Sequence, residues 1–119
     1  MLPLSIIMSK DIQVYLEDIV DSIEKIETYV KGFSFEDFSK NTERQDAVIR
    51  RLEVLGEAVK SIPAELRNQY ATIPWKQIAG MRDILIHDYA NVSLKRVWNV
   101  LTGELAPLKE AVQNMLNQK

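Results

Sequence analysis

Apolar residues recur at spacings of three and four along most of the chain, and this helical period constrains the fold more than any other feature. The chain holds only four glycines and four prolines, so few points interrupt the long periodic segments. No alternating apolar and polar run bounded by a tight-turn pair occurs in the 119 residues. The sequence therefore predicts an all-α fold, a mostly antiparallel bundle of four or five helices.

Capping and breaking residues place the ends of the predicted helices. Ser9 is the predicted N-cap of the first helix, and Gly32 is expected to end it. Thr42 and Gln45 stand at capping-box spacing before a second long helix, which ends before Pro63. The other predicted elements are one helical turn within 33–38, a short helix at 64–70, a helix from Trp75 to His87 or Tyr89, and a last helix capped by Asn91 or Ser93 that Pro107 kinks or divides.

The first eight residues are set apart from the rest of the chain. The apolar run at 2–8 is far shorter than the ~20 residues that a membrane-spanning helix needs. It has neither a preceding basic residue nor a small-residue cleavage site, so we expect no signal peptide. We interpret 1–8 as a flexible or non-native start and 9–119 as a single helical domain, and we expect a cytoplasmic protein without a membrane partner.

Composition excludes several kinds of site. The chain has no cysteine, which excludes disulfides, thiolate zinc sites and cysteine nucleophiles. His87 is the single histidine, so no two-histidine metal motif can form within one chain. The formal net charge of −2 excludes a polybasic arm but leaves room for a local anion-binding site. We therefore expect neither a metal nor another cofactor.

The segment 75–89 surrounds His87 and is apolar nearly all round when it is drawn as a helix. Such a helix is buried on more than one side. One side belongs to the core of the monomer, and the other side could face a partner chain, for which a second copy is the simplest candidate. One stripe of this helix holds Ile78, Met81, Leu85 and Tyr89, with Arg82 at its edge; the opposite stripe holds Gly80, Asp83 and His87, flanked by Ile84 and Ile86.

Three polar residues of this segment could support the cleavage of a phosphodiester without a metal. Asp83 and His87 are four residues apart, so the carboxylate can hold the tautomer of the imidazole and favour its protonated form. His87 would then move a proton at the 2′-hydroxyl or at the leaving oxygen. Arg82 has a fork that suits phosphate oxygens and would stabilise the charge of the transition state.

Arg82 and His87 do not converge on one atom of an ideal helix, because five residues separate them by about 140°. Either the helix frays near His87, or two copies cross and form one composite site. A purely structural interpretation also stands. His87 would then interact with the last carbonyls of its helix, Arg82 would pair with an acid on a neighbouring helix, and Tyr89 would anchor the core.

The same segment resembles the HEPN superfamily, and specifically its HepT-like branch. That branch is marked by Arg, four residues, His, one residue and Tyr, which here are Arg82, His87 and Tyr89. The resemblance extends over roughly 9–116. Its further supporting residues are Asp46, Arg50, Leu52, Leu55, Gly56 and Ala58 in the second long helix, and Trp75, Ile78 to Met81, Val97 and Trp98 around the motif.

The resemblance implies a homodimeric bundle whose paired motif helices form a metal-independent endoribonuclease site. Arg82 and His87 are implied as the catalytic pair, with Asp83 as their polar neighbour. Members act as toxins, and the implied partners are RNA, a second copy and an antitoxin of the MNT nucleotidyltransferase type. The antitoxin is implied to silence the toxin by attaching AMP to Tyr89, which adds charge and bulk where RNA binds.

Two other functions remain open from the sequence. The chain could be a non-catalytic subunit that binds a nucleotide or a partner within a nucleotidyltransferase complex. It could also be a plain interaction module whose motif has lost activity, although Arg82, His87 and Tyr89 are all present.

Overall fold

A computed structural model of the chain describes residues 9–87 and 93–118, with residues 86 and 87 described for the backbone alone. These residues form helices and connecting turns, and the described part contains no strand. The predicted all-α bundle is confirmed. Its helices are α1 (Lys10–Val30), α2 (Phe35–Ser39), α3 (Thr42–Lys60), α4 (Ala64–Asn68), α5 (Trp75–His87), α6 (Leu94–Gly103) and α7 (Leu105–Asn117).

Most of the predicted helix ends are confirmed. The Ser9 hydroxyl accepts a hydrogen bond from the amide of Ile12 at 3.1 Å. Gly32 follows α1 with a φ of +77°, a left-handed conformation that glycine adopts without a Cβ clash. Ser93 caps α6 by accepting from the amide of Arg96. The last predicted helix is divided after Gly103, which lies four residues before Pro107. A proline ring clashes with the carbonyl of the residue four positions earlier, so the helix is interrupted there.

The predicted capping box at Thr42 is wrong. Asn41 is the N-cap of α3, and its side chain accepts a hydrogen bond from the amide of Arg44 at 3.0 Å. Gln45 is buried, and its amide group donates to the backbone carbonyls of Phe38 and Ser39 at the end of α2. Gln45 therefore joins α2 to α3, a contact that a local capping pattern does not reveal.

The long helix α3 lies at the centre of the arrangement that positions the site. It packs against α1 on one side and α5 on the other, while α1 also packs against α7. Fully buried aliphatic residues of these helices form one core; examples are Leu16, Ile19, Leu55, Val59, Leu85, Leu108 and Val112. The apolar area removed from water here supplies most of the stability of the fold, about 1.5–3 kcal/mol for each large side chain that is fully buried.

Other contacts join α2 to α6, α6 to α7, and α7 to α1. Trp98 of α6 packs on the ring of Phe38, with ring centroids 5.4 Å apart. The ammonium of Lys109 in α7 lies 2.8 Å from the carboxylate of Glu27 in α1.

Each helix that the structure describes is too short or too polar to cross a lipid bilayer.

Candidate active site

The start of α5 is fixed by the turn that precedes it. The carbonyl of Pro74 accepts the first hydrogen bond of the helix, from the amide of Ile78 at 3.1 Å. Trp75 is 6% exposed, and its indole N–H donates to the carbonyl of Tyr70 at 3.1 Å. Because the indole is both buried and hydrogen-bonded, it holds the first turn of α5 in one orientation.

One face of α5 is buried as the sequence predicts. Ile78, Met81 and Leu85 are each at most 5% exposed and belong to the core that α3 and α5 share. Arg82 lies at the edge of this face and is partly buried. The packing of these three apolar residues therefore contributes to the rotation of α5 and brings Arg82 beside α3.

Gly56 of α3 makes the close approach of Arg82 possible. A Cβ placed on Gly56 would lie only 2.5 Å from the Cβ of Arg82 and 3.5 Å from its Cα. The Cβ of Arg82 is fixed by the backbone and cannot swing aside. Gly56 is one of the residues that carry the family resemblance, and the structure gives it a steric role at the base of Arg82.

The guanidinium of Arg82 is held by two carboxylates. Its Nε lies 2.8 Å from Oε2 of Glu57 in α3, and its Nη1 lies 3.0 Å from Oδ1 of Asp83. Arginine has five N–H donors, so these two contacts leave three donors with no partner among the described residues. The side chain is 28% exposed and lines a cleft, so solvent reaches part of it. An anion with two oxygens, such as a phosphate, is the ligand that this fork fits.

Asp83 lies between two cations, Arg82 and Lys60. Its Oδ1 accepts from Arg82 and also lies 3.6 Å from Nζ of Lys60 in α3. The hydrogen bond from Arg82 is the main cause that lowers the pKa of Asp83, and the charge of Lys60 lowers it further. Asp83 is therefore ionised at neutral pH, as a carboxylate that orients a basic group must be.

The other half of the predicted site falls outside the described part of the chain. The backbone of α5 extends to His87, but the predicted contact between Asp83 and His87 involves a side chain that is not described. Tyr89 and the predicted cap Asn91 also lie outside the described residues, as do residues 1–8. The catalytic roles of Arg82 and His87 and the modification of Tyr89 therefore remain predictions.

The opposite edge of α5 is open at Gly80. No described atom lies within 4 Å of the point that a Cβ of Gly80 would occupy, beyond the helix backbone and its chain neighbours. The described part of the chain therefore leaves space beside Gly80. Ile84, on the same side of the helix, is only partly buried.

The structural interpretation of the sequence predicts that Arg82 pairs with an acid on a neighbouring helix, and this pairing is confirmed. The sequence does not identify that acid as Glu57. Glu57 and Lys60 are three residues apart and share one face of α3. The sequence contains no local signal that this face packs on α5, because the buried residues of both helices determine that contact.

The comparisons with known proteins agree with the motif. A sequence profile for the family described as "Ribonuclease HepT-like" matches residues 19–115. A protein of Methanocaldococcus jannaschii named "Gamma-glutamylcyclotransferase and putative RNase" is 45% identical over 111 residues, which are 93% of this chain and 50% of that protein. This chain thus spans half the length of that relative.

Two other relatives are matched along most of their length. A "Putative RNase" of Caldanaerobacter subterraneus subsp. tengcongensis is 43% identical over 105 residues, covering 88% of this chain and 94% of the relative. A "Probable ribonuclease HepT" of Thermococcus cleftensis is 43% identical over 95 residues, covering 80% and 86%. No solved structure matches the chain. The family profile and these relatives together show that the chain belongs to the HepT-like ribonuclease family.

Proposed function

We propose that this protein is a metal-independent endoribonuclease whose active site forms between two copies of α5. The observation that carries the proposal is the guanidinium of Arg82, which two carboxylates fix at the edge of α5 while three of its donors have no partner among the described residues. A fixed guanidinium needs little reorganisation when charge develops on a phosphate, so it can stabilise the transition state. The names of the relatives point to RNA as the substrate.

In the proposed reaction, the imidazole of His87 accepts the proton of the 2′-hydroxyl. The 2′ oxygen then forms a bond to phosphorus, and the bond from phosphorus to the 5′ oxygen breaks. The leaving 5′ oxygen takes a proton from water, and the hydroxide that remains removes the proton from the imidazolium of His87. The products are a 2′,3′-cyclic phosphate and a 5′-hydroxyl end. Arg82 binds the non-bridging oxygens throughout, and Asp83 stays ionised beside the site.

A dimer solves the angular problem of the motif. Arg82 and His87 are about 140° apart on one helix, whereas two helices that cross can bring one residue from each copy to a single phosphate. The open edge at Gly80 offers backbone that a second α5 can approach closely. A homodimer with two equivalent composite sites is the closed arrangement that this contact would produce.

The experiment uses purified protein and single-stranded RNA in the presence of EDTA. We expect cleavage by the unchanged chain and a loss of at least about 100-fold in His87→Ala and in Arg82→Ala, the size expected for a general base or an electrostatic group. Arg44→Ala is the matched control. Arg44 lies near the start of α3, away from Arg82, and packs over the ring of Tyr29 in α1. Cleavage that persists in a folded His87→Ala protein would exclude the proposed base.

We further propose that the ribonuclease is a cytoplasmic toxin, silenced when an MNT-type nucleotidyltransferase attaches AMP to Tyr89. This part is supported by the Tyr in the motif alone. Expression of the chain should slow growth, and His87→Ala should abolish the effect. Coexpression of the nucleotidyltransferase should restore growth for the unchanged chain but not for Tyr89→Phe, which lacks the acceptor hydroxyl.

A non-catalytic role within a nucleotidyltransferase complex is the second candidate. The pairing of Arg82 with Glu57 favours it, because a guanidinium already neutralised within its own chain also serves a structural purpose. This candidate predicts a nucleotide-dependent complex and no RNA cleavage by the purified dimer.

A further inference from the structure

A cleft opens beside Arg82 between α1, α3 and α5. Its volume is about 310 Å³, which is at the lower end of the range for small-molecule pockets and suits one nucleobase with its sugar. Arg82 lines it from α5, Arg50 and Glu57 line it from α3, and Tyr15 and Asp18 line it from α1. The cleft thus begins at the proposed phosphate-binding residue and extends away from it toward α1.

The charges that line the cleft do not favour a phosphate inside it. Two of its three carboxylates are paired: Glu57 lies 2.8 Å from Arg82, and Glu53 lies 3.7 Å from Arg50. Asp18 is exposed, and it forms no ion pair with a side chain in the described part of the chain. With three carboxylates and two guanidinium groups, the interior is net negative, so the uncharged part of a nucleotide is the part that fits inside.

Tyr15 and Asp18 stand together on one face of α1. They are three residues apart, a spacing that makes side chains neighbours on a helix, and both line the cleft. Tyr15 is 36% exposed, one of two large hydrophobic side chains that the described part leaves at the surface. An aromatic ring at the mouth of a cleft provides a surface on which any base can stack.

From this placement we propose a subsite for the nucleobase that flanks the phosphate held by Arg82, with Tyr15 stacking on the base and Asp18 binding its edge. The preferred base is guanine. Its N1–H and N2–H donors are parallel and match the two oxygens of one carboxylate, whereas uracil offers a single N–H. The subsite deepens the proposed function and rests on it, since it assumes that Arg82 holds the adjoining phosphate of the RNA.

The first test measures binding without cleavage. Backbone amide spectra of the His87→Ala protein are recorded during titration with guanosine monophosphate and with uridine monophosphate. We expect guanosine monophosphate to bind about tenfold more tightly, the size of one bidentate base contact. The signals that move should belong to residues around Tyr15, Asp18 and Arg82.

The variants in α1 have matched controls on the same helix. Tyr15→Ala should weaken binding of guanosine monophosphate about tenfold, and Tyr15→Phe should keep it, because stacking needs the ring and not the hydroxyl. Asp18→Asn should remove the preference for guanosine over uridine monophosphate. Val14→Ala and Glu17→Gln change exposed neighbours that do not line the cleft, so both should bind like the unchanged chain.

The outcomes separate this subsite from the nuclease proposal. Equal affinity for both nucleotides, or shifts far from α1, would overturn the subsite even if RNA is cleaved. Guanosine-selective binding at Tyr15 and Asp18 in a chain that cleaves no RNA would support the subsite and defeat the proposed function. If Tyr15→Ala dissociates a dimer and leaves nucleotide affinity unchanged, the exposed ring belongs to a contact between copies, and the subsite is wrong.

Discussion

The two edges of α5 differ in the contacts that they make within the single described chain. On the edge that faces α3, Arg82 packs on Gly56, and its charge is met by Glu57 and Asp83. On the other edge, Gly80 faces open space. A glycine lies at each edge, Gly56 of α3 at the first and Gly80 of α5 at the second, and the sequence alone does not distinguish them. Only Gly56 is required by a close neighbour, since Gly80 has no described neighbour. α3 thus positions the guanidinium, and the open edge is the one that a second copy would complete in the proposed dimer.

The largest expected effect comes from adding one methyl group at Gly56. Gly56→Ala places a Cβ 2.5 Å from the Cβ of Arg82, so α3 and α5 must move apart. Overpacking of this kind costs typically about 1–3 kcal/mol in the free energy of unfolding, which urea denaturation measures. An unchanged free energy of unfolding in Gly56→Ala would show that α5 is not seated on α3 as described.

Gly80→Ala is the matched control for that change. Alanine favours a helix interior over glycine by roughly 0.8–1.0 kcal/mol, and nothing in the described chain obstructs the new methyl group. The single chain should therefore become more stable. If a second α5 approaches this edge closely, the same methyl group should weaken the dimer, which light scattering after size exclusion detects. A dimer that is unaffected by Gly80→Ala would place the contact between copies elsewhere.

The next effect in size concerns the two carboxylates of α3 that line the cleft. Glu57→Gln removes the charge that holds Nε of Arg82, and we expect about a tenfold fall in kcat on RNA with a smaller change in KM. The Nε–H signal of Arg82 in nitrogen-15 spectra should also exchange faster with solvent. Stability should change by less than about 1 kcal/mol, since the pair is partly exposed.

Glu53→Gln tests whether any carboxylate of this cleft would give the same result. Glu53 lies one turn earlier on α3 and pairs with Arg50 instead of Arg82. Its substitution should leave both kcat and the Arg82 signal unchanged. Equal effects from the two variants would assign the loss to the general charge of the cleft, and Glu57 would then have no positioning role.

Much of this architecture could be predicted from local patterns, because apolar period, caps and breakers act within a few residues. The buried stripe of Ile78, Met81 and Leu85 and the position of Arg82 at its edge are confirmed. Contacts between helices could not be predicted in the same way. Gln45 matches a capping pattern locally, yet the structure uses it to bind the carbonyls of α2.

The same limit applies to the candidate site. Gly56 is one of the residues that carry the resemblance to the family. The steric need for a glycine there becomes visible only when the structure places Arg82 against it. In the sequence, Glu57 and Lys60 look like any charged residues of an amphipathic helix. Their contacts with Arg82 and Asp83 arise because α5 packs on their side of α3. The sequence thus identifies the residues with chemical capacity, whereas the fold identifies the residues that position them.

The smallest expected effect is the pH dependence that Asp83 gives to folding. Arg82, and secondarily Lys60, lower the pKa of Asp83 in the folded chain below its ordinary value. A carboxyl group whose pKa is lower when folded stabilises the fold above its unfolded pKa, and the contribution disappears as the pH falls through the folded pKa. Urea unfolding of the unchanged chain should therefore lose stability more steeply below about pH 4 than that of Asp83→Asn. Carbon-13 titration of the Asp83 carboxyl checks the cause directly. A pKa at or above the ordinary value would mean that Arg82 and Lys60 do not hold this carboxylate in solution, and the edge of α5 that faces α3 would then be less ordered than its contacts indicate.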